Sequence, residues 1–202
     1  MMTAQIGQKA PDFTTAAVMP NGEINQNFSF AQATKGKYAL IFFYPLDFTF
    51  VCPSELIALN NRMDTFKQMG VEVMVVSVDS AFTHLAWRQT PVNSGGVGTL
   101  DYPMVSDVSH KICQAYGVQH EELGVAYRAC FVIDKQGLVQ TLTIHNLPIG
   151  RNVDEIIRLF EALEFHEKSG EVCPANWNKG KPGMTPTADG VSSYLQENAE
   201  AL

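Results

Sequence analysis

The chain has 202 residues, 46% of them hydrophobic and 17% charged, with a net charge of −7 and a pI near 5.2. These values fit one folded domain, or a domain with an extension, and exclude wholesale disorder. The acidic balance removes the electrostatic case for nucleic acid or anionic membrane as a partner, and no apolar run is long enough to span a bilayer.

The opening stretch MMTAQIGQKAPDF has neither the basic start nor the apolar segment of a secretory signal, so a cytoplasmic location is expected. Residues 38–44, YALIFFY, form a continuous apolar, aromatic-rich run that predicts a strand buried on both faces. Pro53 suits the first turn of a following helix, where its missing N–H has no partner to lose. Leu56, Leu59, Met63 and Phe66 then recur at helical spacing, and Gly70 closes the element. Residues 71–78, VEVMVVSV, predict a second buried strand. Ser80 caps a short helix through Trp87 that Pro91 stops.

Residues 93–98, NSGGVG, predict a loop, and Asp107 to Tyr116 a helix ended by Gly117. Residues 126–134 and 138–145 predict two strands joined by the turn Asp134-Lys135-Gln136-Gly137, hence a hairpin. Asn152 and Glu155 have capping-box spacing and open a helix whose apolar face includes Val153, Ile156, Phe160 and Leu163, with Gly170 at its end. The order strand, helix, strand, helix, helix, hairpin, helix resembles the thioredoxin fold, an α/β class with a central mixed sheet flanked by helices. From Pro174 the composition shifts to Pro, Gly, Lys and Asn. Residues 1–170 are therefore expected to be a thioredoxin-like domain, and residues 171–202 an extended C-terminal arm.

Four cysteines, Cys52, Cys113, Cys130 and Cys173, are too few for a disulfide scaffold and are expected as thiols in a reducing compartment. No C-x-x-C pair is present, and His110 with Cys113 is the only pair at ligand-like spacing, so neither a metal nor another cofactor is expected. Cys52 stands apart. It lies where a buried strand gives way to a helix, beside the unpaired N–H groups and positive dipole end that favour thiolate over thiol. Only about 3% of a free cysteine is thiolate at neutral pH, so such a position raises the reactive fraction. Thr49, three residues back, can set a hydroxyl beside the sulfur, and Pro45 can exclude water without adding a donor. Cys113 in an amphipathic helix and Cys130 in a buried strand read instead as small core residues.

The segment Pro45-x-x-x-Thr49-x-x-Cys52 is similar to the active-site motif of peroxiredoxins, and its setting FYPLDFTFVCPSE resembles the typical 2-Cys group. Further similarity lies in SVDSAFTHLAW (77–87), in Arg128 of VAYRACFVID, in LPIGRNVDE (147–155) and in GEVCPANW (170–177). The resemblance runs from about residue 5 to about residue 195. It implies a thiol peroxidase in which Cys52 attacks peroxide and becomes a sulfenic acid. Thr49 and Arg128 would hydrogen-bond the peroxide oxygens, Pro45 would shield the sulfenic acid, and Glu55 and Arg151 would orient Arg128. It further implies that Cys173 is a resolving cysteine forming an intersubunit disulfide, recycled by thioredoxin or a flavoprotein disulfide reductase. Homodimers assembling into a decamer are implied as well. Two other classes compete: a thiol–disulfide oxidoreductase, which Cys52-Pro53-Ser54-Glu55 disfavours for want of a nearby second thiol, and a non-enzymatic holdase.

Overall fold

The structure, a computed structural model, describes residues 4–202. The chain divides into two compact units, one running to Val153 and the other spanning Asp154–Leu202.

The first unit opens with β1 (Thr14–Val18), β2 (Ile24–Ser29) and a single turn of helix, α1 (Phe30–Ala33). Next come β3 (Tyr38–Phe43), α2 (Cys52–Asn60), α3 (Met63–Gln68), β4 (Val71–Ser77) and α4 (Ala81–Gln89). After these lie β5 (Met104–Ser106), α5 (Lys111–Tyr116) and a small hairpin of β6 (Gln119–His120) and β7 (Val125–Ala126). The unit finishes on the larger hairpin β8 (Arg128–Ile133) and β9 (Val139–His145). Seven strands make one mixed sheet in the order β2-β1-β5-β4-β3-β8-β9. Strands β3, β4 and β5 run parallel, whereas β8 lies antiparallel to β3. This is the thioredoxin-like arrangement expected from the sequence.

The apolar runs explain the centre of the sheet. Every residue of β3 and of β8 is buried, as continuous hydrophobic strands require when both faces are covered. On one face Phe43, Tyr116 and Phe131 form an aromatic cluster with ring centroids 4.9–5.8 Å apart. Tilted and edge-on contacts of this kind add about 0.5–1.5 kcal/mol per pair beyond burial. Because β3 and β8 are antiparallel neighbours, the last residues of β3 and the first of β8 fall at the same end of the sheet, the end that carries Cys52 and Arg128.

Several features depart from the sequence reading, among them α5, which begins at Lys111 rather than at Asp107, and the unanticipated hairpin of β6 and β7. The helix expected from Pro53 to Gly70 is two helices, broken at Asn61 and Arg62, yet Leu56, Leu59, Met63 and Phe66 are all buried because the apolar face continues through the break. Strands β1, β2 and β5 were not anticipated. Strand β2 is mostly exposed and polar, so pairing with β1 creates it rather than periodicity. Its turn runs through Asn21-Gly22, with Gly22 at φ +84. In the second unit, α6 (Val153–Ser169) is followed by a second helix, α7 (Ala188–Asn198), so the tail is not extended throughout. Thr187 accepts a hydrogen bond from the Gly190 N–H and caps α7. The Pro- and Gly-rich composition of residues 174–186 masked that start.

The stretch between these two helices is tied down. Val172 and Met184 exchange two backbone hydrogen bonds of 2.9 Å, and buried Trp177 packs at a tilt against Phe165 with centroids 4.9 Å apart. Among the described residues, no helix is long and apolar enough to cross a membrane.

Candidate active site

Strand β3 delivers the chain to a loop, residues 44–51, that ends where α2 begins. Cys52 is the first residue of that helix, Pro53 follows it, and no side chain caps the turn at Val51. Cys52 is wholly buried.

Two donors reach the sulfur. Thr49 Oγ1 lies 2.9 Å from Cys52 Sγ, and Arg128 Nη1 lies 3.3 Å away. The Thr49 hydroxyl is also 2.8 Å from the Leu46 carbonyl oxygen. One hydroxyl proton cannot serve both acceptors, so its direction follows the state of the sulfur. With a thiol, the hydroxyl faces Leu46 and accepts from S–H. With a thiolate, it turns and donates to sulfur. Arg128 sets a fixed positive charge beside the sulfur.

The Arg128 guanidinium is itself held by three contacts. Its Nε donates to the Leu147 carbonyl at 2.6 Å, and Nη1 also donates to Glu55 Oε2 at 2.7 Å. Its Nη2 has no partner among the described residues. Glu55, one turn along α2 from Cys52, is the hub of the site. Its Oε1 accepts from the Arg151 backbone N–H and Nε, and its Oε2 accepts from Arg151 Nη2 as well as Arg128. Arg151 also donates to the Ala129 carbonyl and lies over the Phe42 ring, 3.3 Å from its centroid.

Burial alone would raise the Glu55 pKa, but hydrogen bonds and charge from Arg151, with Arg128 behind it, outweigh burial and hold it below the usual glutamate range. The sign follows directly. A depressed folded-state pKa contributes stability that is present above the unfolded value and lost as pH falls through the folded one. Glu55→Gln should remove that acid-side dependence. It should also cost about 3–5 kcal/mol at neutral pH, because two buried guanidinium groups lose their counter-charge. Urea unfolding of wild type and variant between neutral and acid pH checks both effects.

A second buried network fastens the loop from behind. Tyr44 donates to Asp47 at 2.6 Å, His84 Nδ1 lies 2.8 Å from the other Asp47 oxygen, and the Asp47 backbone N–H donates to Asp79 at 2.9 Å. Burial raises the Asp47 pKa, opposed by the His84 contact. Asp47, Asp79 and His84 are the one group among the described residues whose atoms could converge on a cation, lying within 4.8 Å of one another. Both Asp47 oxygens are already taken by Tyr44 and His84, so the group acts as a clamp on the loop.

Pro45, Thr49, Cys52, Glu55, Arg128 and Arg151 thus meet at one place. Cys173 belongs to the other unit, where it is half-buried with its sulfur 3.4 Å from the Ala162 carbonyl. Burial pushes its thiol pKa up, opposed by the charge of Arg158. Cys113 and Cys130 are buried, and burial pushes both thiols up, with Asp107 adding to the effect at Cys113. The sequence reading named these residues but not the Tyr44–Asp47–His84 clamp, and beside the sulfur lies an apolar groove. That groove has a volume of about 580 Å³ and runs from Pro45, Thr49 and Arg128 out to Phe50, Leu123 and Pro148.

A family model described as the AhpC/TSA family matches residues 6–142, and one for the C-terminal domain of 1-Cys peroxiredoxin matches residues 162–197. Alkyl hydroperoxide reductase C of Buchnera aphidicola subsp. Schizaphis graminum is 45% identical over 192 residues, covering 95% of this chain and 97% of the relative. Peroxiredoxin-1 of Gallus gallus is 47% identical over 194 residues, covering 96% of each chain. The crystal structure of reduced Plasmodium vivax 2-Cys peroxiredoxin superposes with a TM-score of 0.91 at 46% identity, over 95% of this chain and 98% of that one. Matches of that length and identity, on a buried cysteine set between a hydroxyl and a guanidinium, make the chain a member of the AhpC/TSA family of peroxiredoxins, thiol peroxidases that reduce peroxides.

Proposed function

We propose that Cys52 is the peroxidatic cysteine and Cys173 the resolving cysteine of a typical 2-Cys cycle. The observation that carries the first assignment is the Cys52 sulfur lying 2.9 Å from the Thr49 hydroxyl and 3.3 Å from Arg128 Nη1. The thiolate attacks the outer oxygen of a hydroperoxide. An S–O bond forms as the O–O bond breaks, sulfur loses two electrons, and the peroxide gains them. The leaving oxygen departs as water or an alcohol after taking up a proton. Thr49 and Arg128 stabilise the charge as it moves from sulfur to that oxygen. Glu55 and Arg151 are positioning residues, holding the guanidinium in place through the four hydrogen bonds to the Glu55 carboxylate. Pro45 adds a buried wall without a donor.

The partner subunit's Cys173 then condenses with the Cys52 sulfenic acid, giving a disulfide and one water. A dithiol protein, thioredoxin or a flavoprotein disulfide reductase, returns both thiols by exchange. The match of residues 162–197 to a peroxiredoxin C-terminal domain supports reading residues 171–202 as the arm that carries the resolving thiol. The working protein is a homodimer assembled into a decamer in the cytoplasm.

A non-reducing gel tests the cycle. Peroxide should convert the wild type to a covalent dimer, and Cys173→Ser should lose that band while still reducing one equivalent of peroxide. An oxidised wild type that runs only as monomer would exclude the intersubunit bond. Turnover with a thioredoxin system, compared with a flavoprotein reductase, identifies the electron donor.

A further inference from the structure

From His145, the last residue of β9, the chain turns and passes the reacting cysteine before α6 begins. This strap meets the site twice. The Leu147 carbonyl accepts from Arg128 Nε at 2.6 Å, and the Arg151 N–H donates to Glu55 at 2.8 Å. Between them Gly150 passes so close that an added Cβ would lie 3.3 Å from the side chain of Val51, the residue before Cys52. Two side chains shape the turn that carries Leu147. Asn146 Oδ1 accepts from the Leu147 N–H at 2.8 Å, and the Asn146 carbonyl accepts from the Ile149 N–H at 3.1 Å. His145 Nδ1 lies 3.3 Å from the Ile149 carbonyl oxygen and closes the turn at its base. A carbonyl only accepts, so Nδ1 carries the proton.

We infer that His145 is a positioning residue for peroxide reduction: its Nδ1–H bond to the Ile149 carbonyl sets the turn from which the Leu147 carbonyl aims the Arg128 guanidinium at the Cys52 sulfur. The sheet register places it for that task. His145 is the cross-strand partner of Arg128, so the strap leaves β9 directly opposite the strand position that bears the guanidinium. Side chains of opposed residues project from the same face. The bond that Leu147 makes is also the one that matters for aim. Nη1 holds both the sulfur and Glu55, whereas Nε is the atom nearest the chain, and its bond fixes the rotation of the planar group. A displaced Leu147 carbonyl turns that plane and draws Nη1 off the sulfur. His145 has no hydrogen bond to Arg128, Glu55 or Cys52 among the described residues, so it acts through Leu147. Its own bond is long and exposed, so its loss belongs in the reaction rate rather than in the stability of the fold.

This inference rests on the peroxidase reading of Cys52, and the test separates the two. Second-order rate constants for Cys52 oxidation by hydrogen peroxide are measured by rapid mixing for the wild type, His145→Leu and His145→Asn. The same measurement is made on Arg128→Lys with and without His145→Leu. On the wild-type background His145→Leu should lower the rate constant about three- to tenfold, the range that one hydrogen bond spans. His145→Asn should restore it, because the amide nitrogen is bonded to Cγ as Nδ1 is and can donate from the same place. On the Arg128→Lys background there is no Nε–H for the Leu147 carbonyl to hold, so His145→Leu should change nothing further. Urea unfolding midpoints should coincide for wild type and both His145 variants. His145→Leu at the wild-type rate, His145→Asn as slow as His145→Leu, or an equal loss on both backgrounds would overturn the positioning role. So would an unfolding midpoint that falls in step with the rate. A folded wild type that reduces no hydrogen peroxide would instead refute the role given to Cys52.

Discussion

Cys52→Ser should consume no peroxide above the buffer rate. A serine hydroxyl can accept from Thr49 and Arg128 in the same position, so the fold and the loop survive the change. What is lost is the ionisable, polarizable nucleophile. No other thiol can take over. Cys113 and Cys130 are buried and pushed up by burial, and the Cys173 sulfur contacts a carbonyl, so none has an arginine hydrogen-bonded to sulfur among the described residues. Peroxide loss followed by ferrous-dye assay with a small dithiol as reductant is sufficient, and a residual rate of a tenth of the wild type would move the nucleophile elsewhere.

Arg128→Lys should lower kcat/KM by about 10²–10³, the usual cost of losing one preorganised donor to a transition-state charge. At about 1.36 kcal/mol per decade this corresponds to about 3–4 kcal/mol. Charge is retained, so the loss would come from geometry. The arginine fork spans the Leu147 carbonyl, Glu55 and the Cys52 sulfur. A single ammonium cannot occupy all of these directions. Glu55 keeps its bonds to Arg151 in the variant, so the carboxylate stays neutralised and the fold holds. A variant within threefold of wild type, by the same assay, would show that charge alone suffices.

The central strands and the reacting loop were legible because their information is local. A run such as YALIFFY needs burial on both faces, and Pro45 to Glu55 are neighbours in the chain. Arg128 and Arg151 carry no local signal for catalysis. An arginine in a strand reads as packing until it is known that β8 lies beside β3, so resemblance alone selected these two. Leu123 was invisible for the opposite reason: a lone leucine on a turn means nothing until Phe50 is found to share its groove. Asp47 and His84 are 37 positions apart and meet only when α4 returns over the loop. The break between α2 and α3 left the apolar spacing undisturbed, so periodicity had no means of reporting it.

The complete burial of Cys52 has a consequence for what the protein ignores. A reactive thiol on a surface is open to every electrophile and mixed disulfide in its surroundings. This sulfur is wholly buried, with the Thr49 hydroxyl and the Arg128 guanidinium hydrogen-bonded to it, so a reagent must be slender to reach it. Bulkier reagents must wait for the uncapped first turn of α2 to fray, a rare local opening whose frequency caps their rate whatever their concentration. The site therefore discriminates by girth before it discriminates by chemistry, and a thiol primed for one oxidant stays silent towards most others.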